Sequence, residues 1–264
     1  MISSKMIEVA AGLLRQCDTE ETHLAPTIFL NEGWMVRIMT SASIKLGLQL
    51  KGIDFGEMPN WYSEGMLSSP FLPLYQGDRL AEGYTHADMA LGDFAVDAKA
   101  HADIRITGET GSFGIIEAKM KSPLSRGTTH APGYDQASRN LACIAFNTLK
   151  TRHKIFFAVA APQVTIEKHN IDRIVNKTAM LSRIRKRFES YNDPALLREV
   201  KDQIFTKYRS IFQAMDEVLE RAAGASLAIV SYEEWLSEFK LLDEELYWEM
   251  QDFYRMCKQF NHIE

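Results

Sequence analysis

Residues 102–121 read ADIRITGETGSFGIIEAKMK. Asp103–Thr107 alternates between two faces as a strand does, Gly108–Gly111 has turn composition, and Phe113–Met120 is a second, more apolar strand. A hairpin turning about Thr110 places Asp103 opposite Glu117, and the two-residue period of a strand puts Lys119 on the same face. Directly opposed residues have Cβ atoms about 5 Å apart, where like charges destabilise the pair. Two carboxylates that close call for neutralisation, which a divalent cation or a neighbouring lysine supplies. The stretch therefore predicts a metal site on a hairpin, with the rest of the chain as its support.

The chain on either side is that of an ordinary water-exposed globular protein, with 264 residues, 46% hydrophobic and 25% charged. No apolar run approaches the roughly 20 residues that span a bilayer, so no membrane partner is expected. The first residues, MISSKMIEVAAGLLRQCD, lack the pattern of a secretory leader. Cys17, Cys143 and Cys257 are odd in number and widely spaced, matching reduced thiols and a cytoplasmic location better than a disulfide framework or a zinc motif. A net charge of −5 argues against binding nucleic acid over the whole surface, but not against a local basic groove.

Residues 1–17 have the spacing of an amphipathic helix, and a second helix is predicted from about Thr27 to Leu50, carrying Glu32, with Gly33 and Gly47 weakening it or marking its ends. Lys51–Gly77 shows no clear period and reads as a long packed connection. Residues 80–107 alternate through Tyr84, His86, Asp88, Phe94, Val96, Asp97, His101, Asp103 and Arg105, predicting two strands divided near Gly92-Asp93, the second leading into the hairpin. Asp88 and Asp97 fit turn or solvent positions better than metal positions. A helix over about Tyr134–Lys150, a strand buried on both faces at Lys154–Ala161, and mostly helical sequence beyond Ile166 follow, with a short strand at Leu227–Val230. Ser231 and Glu234 form a capping box opening a last helix. The expectation is an α/β protein, divided into a helical segment 1–26, an α/β core 27–165, and a helical extension 166–264 with one short strand.

An acidic helix with Glu32, a strand aspartate at Asp103, a Glu-x-Lys strand with Glu117 and Lys119, and a following helix with Gln136 come in that order. This order resembles the PD-(D/E)XK nuclease superfamily over about Thr27–Ala161, with Ala102 standing where the family name has proline. The resemblance implies a restriction-endonuclease-like mixed central sheet flanked by helices. It also implies a Mg²⁺-dependent deoxyribonuclease, with Mn²⁺ as substitute, acting in restriction, phage defence or repair. In that reading Asp103, Glu117 and the carbonyl of Ala118 hold the ion, and Glu32 binds it through water or helps place a second. Lys119 stabilises phosphate charge or orients water, and Gln136 positions the lysine, the water or the strand.

Lys121, Arg126, His130 and Arg139 flank the motif, and the basic run holding Arg183, Arg185 and Arg187 forms a helix face; all seven are candidate phosphate contacts. DNA is the expected partner, with RNA left open, and a homodimer would supply the two sites that duplex cleavage needs. Two readings compete. One is a nuclease-fold protein that binds nucleic acid or another protein without cleaving. The other is a plain surface ladder of Asp103, Glu117 and Lys119 that contributes little.

Overall fold

The computed structural model describes all residues except 1–3, 17–18, 20–22, 98–102, 129 and 199. His101 and Ala102 therefore lie outside the described residues. In chain order the elements begin with α1 (Ser4–Leu14), α2 (Glu32–Leu46), the short hairpin β1 (Gln49–Leu50) and β2 (Ile53–Asp54), β3 (Asn60–Leu67) and β4 (Thr85–Gly92). Next come β5 (Phe94–Asp97), β6 (Asp103–Ile106), β7 (Ser112–Ala118), the short pair β8 (Gly127–Thr128) and β9 (Ala131–Pro132), α3 (Gln136–Asn147) and β10 (Lys154–Ala161). The remainder is α4 (Gln163–His169), α5 (Ile171–Ile174), α6 (Lys177–Glu189), α7 (Pro194–Leu197), α8 (Asp202–Gln213), α9 (Met215–Ala223), β11 (Ser226–Ser231), α10 (Tyr232–Leu242) and α11 (Glu244–Phe260).

Seven strands form one mixed sheet in the order β11-β10-β7-β4-β3-β6-β5. β10 runs parallel to both β7 and β11, whereas β4 is antiparallel to β3 and β7. One core lies on the α3, α6 and α9 side, with Ile115, Leu141, Phe157, Ile184 and Val218. A second lies on the α2, α10 and α11 side, with Met39, Ile116, Ala158, Trp235 and Tyr254. Strand β11, from the helical C-terminal third, completes the sheet beside β10. Among the described residues no helix is long and apolar enough to cross a membrane.

The expected hairpin of residues 103–118 does not form. β6 pairs antiparallel with β5 and touches β3 through Asp103 and Met66, so two strands, β4 and β3, separate it from β7. The physical reason is burial. Phe113–Ala118 is buried throughout and needs neighbours on both sides, whereas β6 exposes Arg105 and lies next to the sheet's edge strand β5. Asp93 manages the crossing: its N–H donates to the Ser112 carbonyl (2.8 Å), its carbonyl accepts from Thr107 N (3.0 Å), and its carboxylate accepts from Ser112 N (2.9 Å). Gly92, at φ 121°, lies so close to Ser112 that a Cβ would sit 1.9 Å from its carbonyl oxygen.

Other differences are local. The stretch 51–77, expected as connection, holds β3, whose mixed burial masks the strand period. The predicted last helix breaks at Asp243, which caps α11 by accepting from Leu246 N (3.0 Å). Gly47 ends α2 at φ 64°, and Ser231 caps α10 by accepting from Glu234 N (3.0 Å), both as read from the sequence.

Candidate active site

The acid that faces Glu117 is Asp88. The β4–β7 ladder pairs Met89 with Ile116 and Ala90 with Ile115, so one step further sets Asp88 opposite Glu117. Asp88 Oδ2 accepts the backbone N–H of Ala118 at 2.8 Å, which fixes the carboxylate at the strand end and places the Ala118 peptide beside both acids. Asp103, three strands away, bonds Arg105 (3.2 Å) and pairs in register with Asp97, to which Arg105 also reaches (3.3 Å). It belongs to an exposed ion-pair ladder at the sheet edge and not to the Glu117 site, a correction to the sequence expectation.

Glu117 is fully buried, and three side chains donate to its carboxylate. Lys119 Nζ donates to its Oε1 at 2.5 Å, Gln136 Nε2 to the same oxygen at 2.5 Å, and Asn140 Nδ2 to Oε2 at 2.9 Å. Gln136 and Asn140 are one helical turn apart on α3, so both reach the same carboxylate. Asp135 holds that helix start by accepting from Ser138 N (2.8 Å). Lys119 is carried past the strand end by its N–H to the Ala160 carbonyl (2.8 Å), which extends the parallel pairing with β10. Glu32 opens α2 behind the cap of Asn31, which accepts from Trp34 N (3.0 Å).

Burial, then the neighbouring Asp88 charge, push the Glu117 carboxyl up to about 8, against the pull of Lys119. For Lys119 burial opposes the ammonium, but Glu117, Asp88 and, more weakly, Glu32 outweigh it, so its pKa rises and it stays protonated. A third carboxylate adjoins the pair. Glu64 falls between Ser63↔Met89 and Gly65↔Ala87 in the ladder, opposite Asp88, yet its φ of 59° breaks the alternation and its Oε1 meets Arg37 Nη2 at 3.2 Å. That left-handed residue costs roughly 1 kcal/mol, and burial followed by the Asp88 charge raises the Glu64 pKa, against the pull of Arg37.

The Glu117 shift has a consequence for stability. Between its ordinary value and about 8 the folded chain holds a proton that the unfolded chain has released, so stability falls as pH rises through that window. The metal-free protein is expected to lose up to about 1.4 kcal/mol per pH unit there, read as a falling Tm by calorimetry. Glu117→Gln should flatten the slope; an unchanged slope in that variant would assign it to other groups.

The basic residues singled out in the sequence separate into groups. Arg126 and Arg183 line a cavity of about 430 Å³ with Asp135, His169 and Arg173. His130 and Arg183 line an adjoining one of about 420 Å³ with Lys186. Arg183 also bridges Asp135 at 3.0 Å, which ties α6 to the start of α3. Lys121 is exposed, with its carbonyl bonded to the His169 ring at 3.0 Å. Arg185 is exposed about 200° round the helix from Arg183.

Arg139 is half-buried, and its charge acts on the buried Glu82 and Tyr134, so it serves the interior. Arg187 is corrected outright. It is buried, its guanidinium lies 4.9 Å from the Phe71 ring and 5.4 Å from that of Tyr191, and it donates to the Leu80 carbonyl. Arg187→Ala is expected to cost about 3 kcal/mol, with Lys unable to restore the stacked plane. A denaturation midpoint within error of wild type would refute that role.

Asn140 and Glu64 were missed as site residues, and Asp88 was weighed as a metal ligand but set aside for a turn or solvent position. For Asn140 the signal was present, since Gln136 and Asn140 share a helix face in QASRN. Asp88 had alternation but nothing in its own stretch to say which strand lay beside it. Comparison of the chain with models of protein families, with curated proteins and with solved structures finds no match.

Proposed function

We propose that the chain is a metal-dependent nuclease of the PD-(D/E)XK type, with a restriction-endonuclease-like core in which Asp88 takes the strand-aspartate place that the sequence had assigned to Asp103. The observation that carries the reading is the opposition of half-buried Asp88 to fully buried Glu117, with Lys119 bonded to Glu117. The order of acidic helix, strand aspartate, Glu-x-Lys strand and Gln-bearing helix is kept, through Glu32, Asp88, Glu117, Lys119 and Gln136.

Carboxylate oxygens are the donor type that a hard divalent ion takes. Two anionic oxygens meet in a site where burial and mutual repulsion already favour taking up a positive charge, a proton in the metal-free state. Asp88 and Glu117 would hold Mg²⁺ or Mn²⁺, with Glu32 at the rim and the Ala118 peptide alongside. Such an ion supplies Lewis acidity and a water of lowered pKa. Lys119, its proton held by its neighbours, donates to a phosphate oxygen and offsets charge that grows during phosphodiester hydrolysis. Gln136 and Asn140 fix the orientation of the Glu117 carboxylate. Arg126, His130, Arg183 and Lys186 border the cavities beside α3 and give a phosphate backbone a cationic wall.

Incubation of the purified chain with duplex and single-stranded DNA, and with RNA, in Mg²⁺, Mn²⁺ or EDTA tests this. Cleavage that requires the ion supports it. Binding with no cleavage under either metal would support the non-cleaving alternative, which the hydrogen bonds already held by both Glu117 oxygens, two on Oε1 and one on Oε2, favour.

A further inference from the structure

A groove of about 850 Å³ runs between α2, the first half of β3 and α11, lined by Trp34, Arg37, Lys45, Trp61, Tyr62 and Met250 among others. Two features set it apart from an ordinary surface hollow. Its walls are aromatic: Trp61 is 39% exposed, and Trp34 is half-buried, propped edge-on by Phe29 with ring centroids 5.0 Å apart. Its cations are ordered at one end and exposed at the other. Arg37 lies over the Trp34 ring at 5.5 Å, with Nε on Ser63 Oγ at 2.7 Å and Nη2 on Glu64 at 3.2 Å, while Lys45 is exposed two turns further along α2.

The groove is linked to the candidate active site through Arg37 and Glu64. Arg37 lines it and holds Glu64, Glu64 lies opposite Asp88 in the ladder, and α2, which forms one wall, begins with Glu32. Flat aromatic faces interleaved with cations suit bases that are unstacked and phosphates that follow them, a combination a duplex does not offer because its bases are covered. A chain of net charge −5 gains little from general attraction to a polyanion, so local cations beside tryptophans point to a placed strand.

We propose that this groove binds the unpaired bases of a single-stranded nucleic acid, stacking them on exposed Trp61 and pairing their phosphates with Lys45 and with Arg37 where it lies over Trp34, so that the strand leads past Glu64 to the acid pair. The assignment rests on the nuclease reading of that pair and adds the substrate class to it: a single strand, or a single-stranded end of a duplex.

Fluorescence anisotropy tests it with labelled DNA and RNA single strands of about 12 nucleotides and a blunt duplex, all in EDTA so that cleavage plays no part. Wild type is expected to bind at least one of the single strands about 10-fold tighter than the duplex, and the two strand types report whether ribose matters. Trp61→Ala should weaken single-strand binding about 10-fold and leave duplex binding as it was, with Trp61→Phe recovering most of the loss. Lys45→Glu should weaken it and lower its salt slope by about one. Trp61 and Lys45 are surface residues, and circular dichroism confirms that both variants fold.

Equal affinity for duplex and single strands, or wild-type binding in both Trp61→Ala and Lys45→Glu, overturns the proposal. So does a concentration-dependent dimer that Trp61→Ala disrupts while no strand binds, which would assign the groove to a second copy. Cleavage by wild type in Mg²⁺, measured separately, keeps the outcomes apart. Cleavage with no effect of the groove variants removes the groove alone, and strand binding without cleavage removes the nuclease reading alone.

Discussion

Lys119→Ala is expected to lower metal-dependent cleavage by about 10²–10³-fold, with the loss in kcat and little change in substrate affinity. Lys119 is the one cation bonded to Glu117 among the described residues, and its side chain is only 12% exposed, so no outside lysine replaces it readily. Its proton is held against burial by Glu117 and Asp88, which keeps a positive charge beside the acid pair at working pH. Without it Glu117 keeps Gln136 and Asn140 but loses the positive charge that pulls its pKa down, so its carboxyl stays protonated to higher pH. The pH–rate profile of residual activity should therefore shift alkaline. Single-turnover rates across pH read both effects; a variant that cleaves within a few-fold of wild type would remove Lys119 from the reaction.

The second large effect separates Asp88 from Asp103. Asp88→Asn keeps an oxygen to accept from Ala118 N, so the strand end stays in place, but it removes one of the two charges that would hold a cation. Cleavage is expected to fall by more than about 100-fold. The metal-free protein should become more stable near pH 8, by about 1 kcal/mol, because Glu117 no longer faces a like charge. Asp103→Asn should leave cleavage within about two-fold, since an exposed ion pair contributes little. Activity loss joined to a stability gain is the signature of an electrostatic site; loss of both in Asp88→Asn would mean that Asp88 is structural.

These two aspartates also show how far the sequence could be read. That Glu117, Lys119 and Gln136 come together was legible because one apolar strand and the helix after it carry them, and local pattern decides both. The same holds for KIFFAVAA, whose unbroken apolar run matches a strand buried between β7 and β11. The acid opposite Glu117 depended on which strand lies beside β7, and that is a property of the whole sheet. A turn-like GETG between two strand patterns favours a hairpin, yet the β5–β6 pair is an insertion in the connection from β4 to β7. Gly92 is where the difference is written, because only a residue without a side chain passes so near Ser112. β3 escaped notice because exposed Trp61 and Glu64 interrupt its period, and those same residues border the groove and the acid pair.

The most direct measurement is calorimetric titration of the metal-free protein with Mg²⁺ and Mn²⁺ near pH 8, in wild type, Asp88→Asn, Glu117→Gln and Asp103→Asn. Wild type and Asp103→Asn should bind the ion alike, with proton release that grows as pH is lowered from about 8 because the ion displaces the Glu117 proton; Asp88→Asn and Glu117→Gln should bind at least about 10-fold more weakly. No binding in wild type, or binding that survives both of those substitutions, would contradict a cation site built from Asp88 and Glu117.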